Sequence, residues 1–307
     1  MRILFFLSAF LLASAFSFPL PDAKLEYTFK VGDEYTWTQT SKQKIKQSIM
    51  GMEQSTETAY DSELKMKIIS LTATGAKFET SFTKMKNTVK SPMGDMIMDS
   101  NGSDDVKENK IFKAMMNKTF FFTMTKRGVV ENIEGVENLW SGFSSLGLTE
   151  AEAASLQQSM DQMLGKNSLK GTFEQAFVSY PDKKIKPGDT WTTQIGAPMS
   201  FPLRTDNTWT LVDINATVAN LKADGIFVTT DKEKTMSLPG GIKAKVDLNG
   251  NQAVKAKANP KTGWPTDLSV TSEVKGKMIV LAGGMIPADM EIPMEISSEG
   301  TFTIVKK

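Results

Sequence analysis

Apolar and polar residues alternate along most of this 307-residue chain, and the alternation breaks in one long stretch near the middle. Leu25, Tyr27 and Phe29 alternate with Glu26, Thr28 and Lys30, and Gly32-Asp33 then reads as a turn. Tyr35, Trp37 and a long Thr- and Lys-rich run to Ile49 continue as strand. Leu64, Met66 and Ile68 lead to a turn at Ala73-Thr74-Gly75, after which Phe78, Thr80 and Phe82 return. Period-2 patterning with turn residues at intervals predicts antiparallel sheet with one wetted face. Phe120–Thr125 and Val129–Ile133 flank Lys126-Arg127-Gly128, a predicted hairpin turn. Ile242–Leu248 and Ala253–Ala258 flank Asn249-Gly250, the strongest short hairpin signal in the chain. Leu268–Leu281 and Met294–Val305 are further predicted strands.

From Gly135 to Val178 the period changes to that of a helix. Val136, Leu139, Trp140, Phe143 and Leu146 form one apolar face. Thr149-Glu150-Ala151-Glu152 has the form of a capping box, in which the Thr149 hydroxyl and the Glu152 carboxylate each satisfy an orphan amide. Leu156, Met160, Met163 and Leu164 make a second stripe, with Gly165 expected as a left-handed C-cap. Leu169, Phe173, Ala176 and Phe177 make a third, stopped by Tyr180-Pro181.

The β-rich stretches on either side resemble each other. Phe29-Lys30-Val31-Gly32-Asp33-Glu34-Tyr35-Thr36 aligns with Ile185-Lys186-Pro187-Gly188-Asp189-Thr190-Trp191-Thr192. Thr74-Gly75-Ala76-Lys77-Phe78 is answered by Asp224-Gly225-Ile226-Phe227, and Lys126-Arg127-Gly128 by Lys261-Thr262-Gly263. Three matches in one order predict an internal duplication whose halves share one core. The expected fold is α+β and mostly β. It is a curved antiparallel sheet or open barrel from two related halves, with the central helical segment on its concave face. No Pro/Gly-rich linker interrupts it, so residues 16–307 read as a single domain: a first β half (16–134), a helical segment (135–180) and a second β half (181–307).

Residues 1–15 combine Arg2, the apolar run Ile3–Leu12 and Ala13-Ser14-Ala15, the pattern of a cleaved secretory signal. The run is shorter than the roughly 20 residues of a spanning helix, and no Cys follows it for lipid attachment. A periplasmic or secreted protein is expected. The chain has no Cys, so burial must hold it together. It has 36 Lys and Arg against 35 Asp and Glu, and only Arg2, Arg127 and Arg204 are arginines. That balance offers no basic patch for nucleic acid.

His is absent as well. This removes Ser-His and Cys-His nucleophile pairs and the usual general base near neutral pH. A non-enzymatic role without cofactor or metal is expected. Asp99, Asn101, Ser103 and Asp105 alternate like the start of a calcium loop, but the twelfth position is Lys110, and a solvated turn is the better reading. Gly32-Asp33 and Gly188-Asp189 could be read as paired acids related by the repeat; turns that precede strands account for them more simply. Asn101-Gly102-Ser103, Asn117-Lys118-Thr119 and Asn215-Ala216-Thr217 are glycosylation sequons, relevant only in a eukaryotic source.

Methionine is the compositional oddity, with 19 in the chain. Met93, Met96 and Met98, Met115-Met116, and Met160 with Met163 could bind Cu(I), yet without His or Cys the residues fit adaptable packing better. Such packing suits a cavity that tolerates ligands of varied shape. The candidate lining is Met160, Met163, Phe173 and Phe177 facing Met96 and Met98 or Phe120 and Phe122, with Trp140 and Phe143 on the neighbouring helical face.

The strand Tyr27-Thr28-Phe29-Lys30-Val31-Gly32-Asp33, the Lys126-Arg127-Gly128-Val129 hairpin, the helical middle, and Tyr180-Pro181-Asp182 leading to Pro187-Gly188-Asp189-Thr190-Trp191 together carry a resemblance. They are similar to a family of uncharacterised exported proteins from Gram-negative, Bacteroidota-type bacteria, which implies no catalytic residue. In layout the chain also resembles the periplasmic lipoprotein carriers, whose open barrel is plugged by helices and holds acyl chains. The implied role is binding of a hydrophobic or amphipathic ligand, a lipid or acyl group, between sheet and helices. The rival expectation is a structural or interaction module that meets another envelope protein.

Overall fold

The computed structural model describes residues 22–49, 51–196, 202–238, 242–283 and 286–307; the expected signal over 1–15 lies outside them. The first half supplies β1 (Glu34–Ile49), β2 (Met52–Leu71), β3 (Gly75–Lys90), the short β4 (Met96–Asp99), helix α1 (Lys107–Met115), β5 (Phe120–Thr125) and β6 (Val130–Glu134). A 3-10 helix (Val136–Leu146), α2 (Glu150–Leu164) and α3 (Lys166–Ala176) follow. The second half supplies β7 (Thr190–Gly196), β8 (Leu203–Ile214), β9 (Ala219–Thr229), the two-residue β10 (Met236–Ser237), β11 (Lys243–Ala258), β12 (Pro265–Val280) and β13 (Met290–Lys306).

All 13 strands belong to one sheet, in the order β6-β5-β3-β2-β1-β13-β12-β11-β9-β8-β7, with β4 on β3 and β10 on β11. Every pairing is antiparallel. The path does not close, and β6 and β7 are its edges. Helix α3 contacts both edge strands. An unpaired edge is a template for unwanted pairing, and here a helix covers both edges at once.

The duplication is visible in the backbone, although one of the three sequence matches fails: Thr74-Gly75 leads into β3, whereas Asp224-Gly225 lies in the middle of β9, paired on both sides. Gly32 N–H donates to Ile68 O at 2.9 Å and Ile68 N–H to Asp33 O at 3.0 Å. In the second half Gly188 N–H donates to Leu211 O at 2.8 Å and Leu211 N–H to Asp189 O at 3.2 Å. Both glycines take the same left-handed turn, φ 92° and 91°. The register then slips just after Ile68 in β2 and just after Leu211 in β8. Thus β1-β2-β3-β5-β6 corresponds to β7-β8-β9-β11-β12, and β13 joins the outer strand of one unit to the first strand of the other. Asp33 and Asp189 serve these turns: Asp33 pairs with Lys306 and Asp189 accepts the Lys186 amide.

Two extended segments cross one end of the sheet. Ala23 and Ile185 exchange backbone hydrogen bonds of 2.8 and 2.9 Å, so the stretches preceding β1 and β7 run antiparallel to each other. Leu25-Tyr27-Phe29 is therefore a crossing strap, not the regular strand its alternation predicts. The hairpin tips press on these straps reciprocally. A Cβ on Gly128 would lie 2.4 Å from Val178 O, and one on Gly263 would lie 2.3 Å from Glu26 O. Tyr27 N–H donates to Lys126 O and Thr28 N–H to Thr262 O. The Tyr27 hydroxyl accepts from Val178 N–H at 3.0 Å and donates to Val178 O at 3.2 Å.

Beneath this closed end lies the main core. Tyr35 stacks on Trp264 with centroids 4.1 Å apart, Phe78 on Phe122 at 4.5 Å, and Phe122 on Phe173 of α3 at 4.6 Å. Offset and tilted pairs of this kind add to the burial of the rings themselves. The helical segment packs on the concave face as expected, with local differences. Val136–Leu146 is a 3-10 helix, and its Gly142 sits against Ala114 of α1 too closely for a side chain. The capping box of Thr149 and Glu152 forms. Gly165 is extended, φ −68°, because it also begins α3; it is not a left-handed cap.

The clearest correction falls on Asn249-Gly250, which is the middle of β11 and not a turn. Asn249 and Gly250 pair with Lys275 and Val274 on one side and with Val228 and Phe227 on the other. Glycine is used there because a Cβ would meet Glu273 O at 2.1 Å. The β11–β12 turn falls instead at Asn259–Trp264.

Tyr27→Phe is expected to lower stability by about 1–3 kcal/mol, since it strands two buried backbone groups of Val178. Urea unfolding of the two proteins checks this. A change of only a few tenths would mean that the straps do not need this tie.

Candidate functional site

Strand register sorts the side chains onto two faces. Odd-numbered residues of β1 and even-numbered residues of β2, β11, β12 and β13 point to the concave face, as their burial shows. Near the closed end that face is apolar. Farther along, it carries uncharged polar residues on strand after strand. Asn207, Gly225, Gln252, Ser272, Ser298, Gln43 and Thr58 are successive cross-strand partners from β8 to β2. The Ser272 and Ser298 hydroxyls are 2.6 Å apart, and Gln252 Nε2 donates to Asn207 Oδ1 at 3.2 Å.

Beyond this polar belt the face turns apolar again. Phe227, Val246, Leu248 and Val274 form a second buried cluster, flanked by Leu203, Met236, Met278, Met294 and Ile296. A polar row between two apolar regions breaks the simple in–out alternation.

Two adjoining cavities occupy that boundary. The upper one, about 210 Å³, lies between β1-β2-β3 and the α2–α3 corner, and Trp37, Tyr60, Asn87, Met163, Leu164, Leu169 and Phe173 are among its walls. The lower one, about 300 Å³, lies between the α3 residues Thr172 and Gln175, the belt, and the second cluster. They share Gln39, Ser41, Thr58 and Thr172 as walls. The two together enter the size range of small-molecule sites, about 300–1,000 Å³.

The upper cavity holds two buried polar atoms without a protein partner: the Trp37 indole N–H, a donor, and Asn87 Oδ1, an acceptor. Leaving such groups unpaired costs about 1–3 kcal/mol each. Burial also pushes the Tyr60 hydroxyl above its ordinary pKa, so it stays a neutral donor and acceptor.

Of the ten residues singled out from the sequence, Met163 and Phe173 line this space. Phe173 and Phe177 do face Phe120 and Phe122, with centroid distances of 4.6–6.4 Å, but as a filled core of stacked rings. Trp140 and Phe143 pack together at 5.8 Å in the 3-10 helix. Met160 and Met98 are buried in the main core. Met96, two residues from Met98 on the same face of β4 but nearer the end of the strand, is 42% exposed. The belt residues went unmarked because a polar side chain in a strand reads as solvent-facing. Their signal was parity: Gln39, Ser41 and Gln43 continue the register of Tyr35 and Trp37.

A larger concavity, about 1,000 Å³, lies on the outward face across β8, β9, β11, β12, β13, β1, β2 and β3. It is an open trough, and its rows are charged. Lys42 pairs with Glu299 at 3.3 Å and Lys44 with Glu57 at 2.7 Å. Exposed pairs like these contribute little to stability. In the Asp99–Asp105 loop, Asp99 Oδ1 accepts the Asn101 amide, Asp99 pairs with Lys86, and Asp104 pairs with Lys113. Among the described residues no three His, Cys, Asp or Glu side chains gather as a metal site. No helix among them is long and apolar enough to cross a membrane.

The model of the family of unknown function DUF6263 matches residues 73–265, more than half of the chain, and the protein belongs to that family. Among curated proteins none matches it. Solved structures with a similar course include the COG4313 outer membrane channel from Pseudomonas putida F1, at 7% identity and TM-score 0.27, covering 91% of this chain and 97% of that one. Another is OccK7 (OpdD) of Pseudomonas aeruginosa, at 6% identity and TM-score 0.21, covering 90% and 100%. A third is the translocator domain of the autotransporter NalP from Neisseria meningitidis, at 8% identity and TM-score 0.22, covering 90% and 89%. Likeness at this level carries no argument about function.

Met163→Trp should fill the upper cavity with stability kept or raised, because added burial is worth about 25 cal/mol per Å² of apolar area. Thermal unfolding tests it. A loss of about 1–3 kcal/mol, the usual cost of overpacking, would show that the space cannot be used.

Proposed function

We propose that this is an exported, non-enzymatic protein of the Gram-negative envelope that holds a hydrophobic or amphipathic ligand between its sheet and helices. The observation that supports this most is the paired cavity. It lies between two apolar clusters, has a polar belt along one wall, and is bordered by Trp37 and Asn87, whose buried indole N–H and Oδ1 have no partner in the protein. A core that only had to be stable would place apolar side chains on those inward rows. The resemblance in layout to periplasmic lipoprotein carriers agrees with a lipid or acyl occupant; it is an analogy of fold and adds little weight alone.

A membrane-spanning barrel would need an outward apolar band. The outward rows here carry Lys44 with Glu57, Lys275 with Glu295 and Lys277 with Glu291 instead. The second reading, an interaction module of the envelope without a small ligand, draws on the outward trough, whose charged walls suit contact with another protein.

Uptake of the neutral apolar fluorophore N-phenyl-1-naphthylamine separates the two. The parent protein should give a saturable rise in emission. Ser41→Trp, on an inward row that walls both cavities, should weaken uptake roughly tenfold while the unfolding temperature stays near that of the parent. A folded parent that takes up no probe overturns the ligand reading and leaves the interaction module.

A further inference from the structure

The walls of the paired cavity lack charge, and the lack is systematic. On β1, β2, β3, β8, β9, β11, β12 and β13 the Lys, Arg, Asp and Glu residues fall on outward rows. The exception is Lys306 at the closed end, where it pairs with Asp33. The α2 and α3 residues that face the space, Met163, Leu164, Leu169, Thr172, Phe173 and Gln175, are uncharged too. Lys42 and Glu299 border the lower cavity, but they point outward and pair with each other.

The space is not apolar, however. Gln43, Gln252, Ser272 and Ser298 border the lower cavity with hydroxyl and amide groups. Trp37, 1% exposed, and Asn87, 7% exposed, border the upper one, and each carries a buried polar atom without a partner in the protein. A carboxylate or phosphate placed here would lose its water without gaining a counter-ion, which is strongly unfavourable. A neutral group that both donates and accepts hydrogen bonds would find partners on each side.

Resting on the ligand-binding reading above, we propose that the occupant is an amphiphile with an uncharged hydrogen-bonding head. A glycerol ester, long-chain alcohol or amide fits; a fatty-acid anion or a phospholipid does not. The head lies along the belt at Ser272, Ser298 and Gln252, and the apolar chain runs against Phe227, Leu248 and Val274.

Displacement of bound N-phenyl-1-naphthylamine tests the proposal, with two competitors of equal chain length used below their micellar concentrations. At alkaline pH, 1-monomyristoylglycerol should displace the probe at a concentration roughly tenfold lower than myristate does. The gap should narrow once the pH falls below the carboxyl pKa and the acid becomes neutral. The double variant Ser272→Ala, Ser298→Ala should need several times more monomyristoylglycerol than the parent, once each competition is corrected for that protein's own affinity for the probe. Myristate that matches or beats the glyceride at alkaline pH overturns the proposal. So does a double variant that responds as the parent, or a bound probe that neither lipid displaces; in each of these cases the cavity reading stands. A parent that never takes up the probe defeats that reading itself, and the head-group proposal with it.

Discussion

The fold depends on a reciprocal tie between two chain segments that are far apart in sequence. Tyr27 and Val178 exchange hydrogen bonds through one buried hydroxyl, where the straps before β1 and β7 cross. Burial and the nearby Tyr180 hold the Tyr27 hydroxyl well above its ordinary pKa, so it stays protonated and can donate. Each hairpin glycine presses on the strap of the other half, and Tyr180 adds a 2.8 Å bond to Gly263 O. The end of the sheet is thereby closed by backbone and aromatic rings, in a chain without cysteine.

Closing one end decides what the rest can do. The two units run head to tail through β13, which leaves β6 and β7 as edges with α3 between them. The helix that protects the edges also sends Phe173 into the core and Thr172 and Gln175 toward the cavity. Its apolar ring stack cannot reach the far part of strands 16 to 20 residues long, such as β1, β2 and β11. That distant region gathers its own small cluster, and the polar belt lies at the junction.

Charge follows the same geometry. Lysines and carboxylates pair along the outward rows, where Glu34 is held below the usual carboxylate range by Lys65 and Lys67. Apart from Lys306 at the closed end, the polar side chains that these strands turn to the concave side are neutral. A surface sorted in this way turns the charged rows of the sheet outward and leaves the other face an uncharged interior with a few hydrogen-bonding groups. Such an interior suits a neutral amphiphile.

Much of this was legible in the sequence, because period-2 patterning reports burial residue by residue. The antiparallel sheet, the Thr149–Glu152 cap, the helical centre and the Gly32/Gly188 repeat follow from local chemistry: alternation, side-chain reach and the need for positive φ. Asn249-Gly250 misled because the same dipeptide that suits a tight turn also suits a strand whose neighbour approaches closely, and only the 2.1 Å meeting with Glu273 O distinguishes the two. Leu25-Tyr27-Phe29 alternates like a strand, yet whether a ladder forms depends on which backbone lies beside it. The predicted ligand residues were the large apolar ones, and most of those fill space. Beside apolar walls such as Trp37, Phe227 and Leu248, the cavities are bordered by Ser, Gln, Thr and Asn on inward rows. Their meaning depends on strand register across the whole sheet, and tertiary structure alone sets that register.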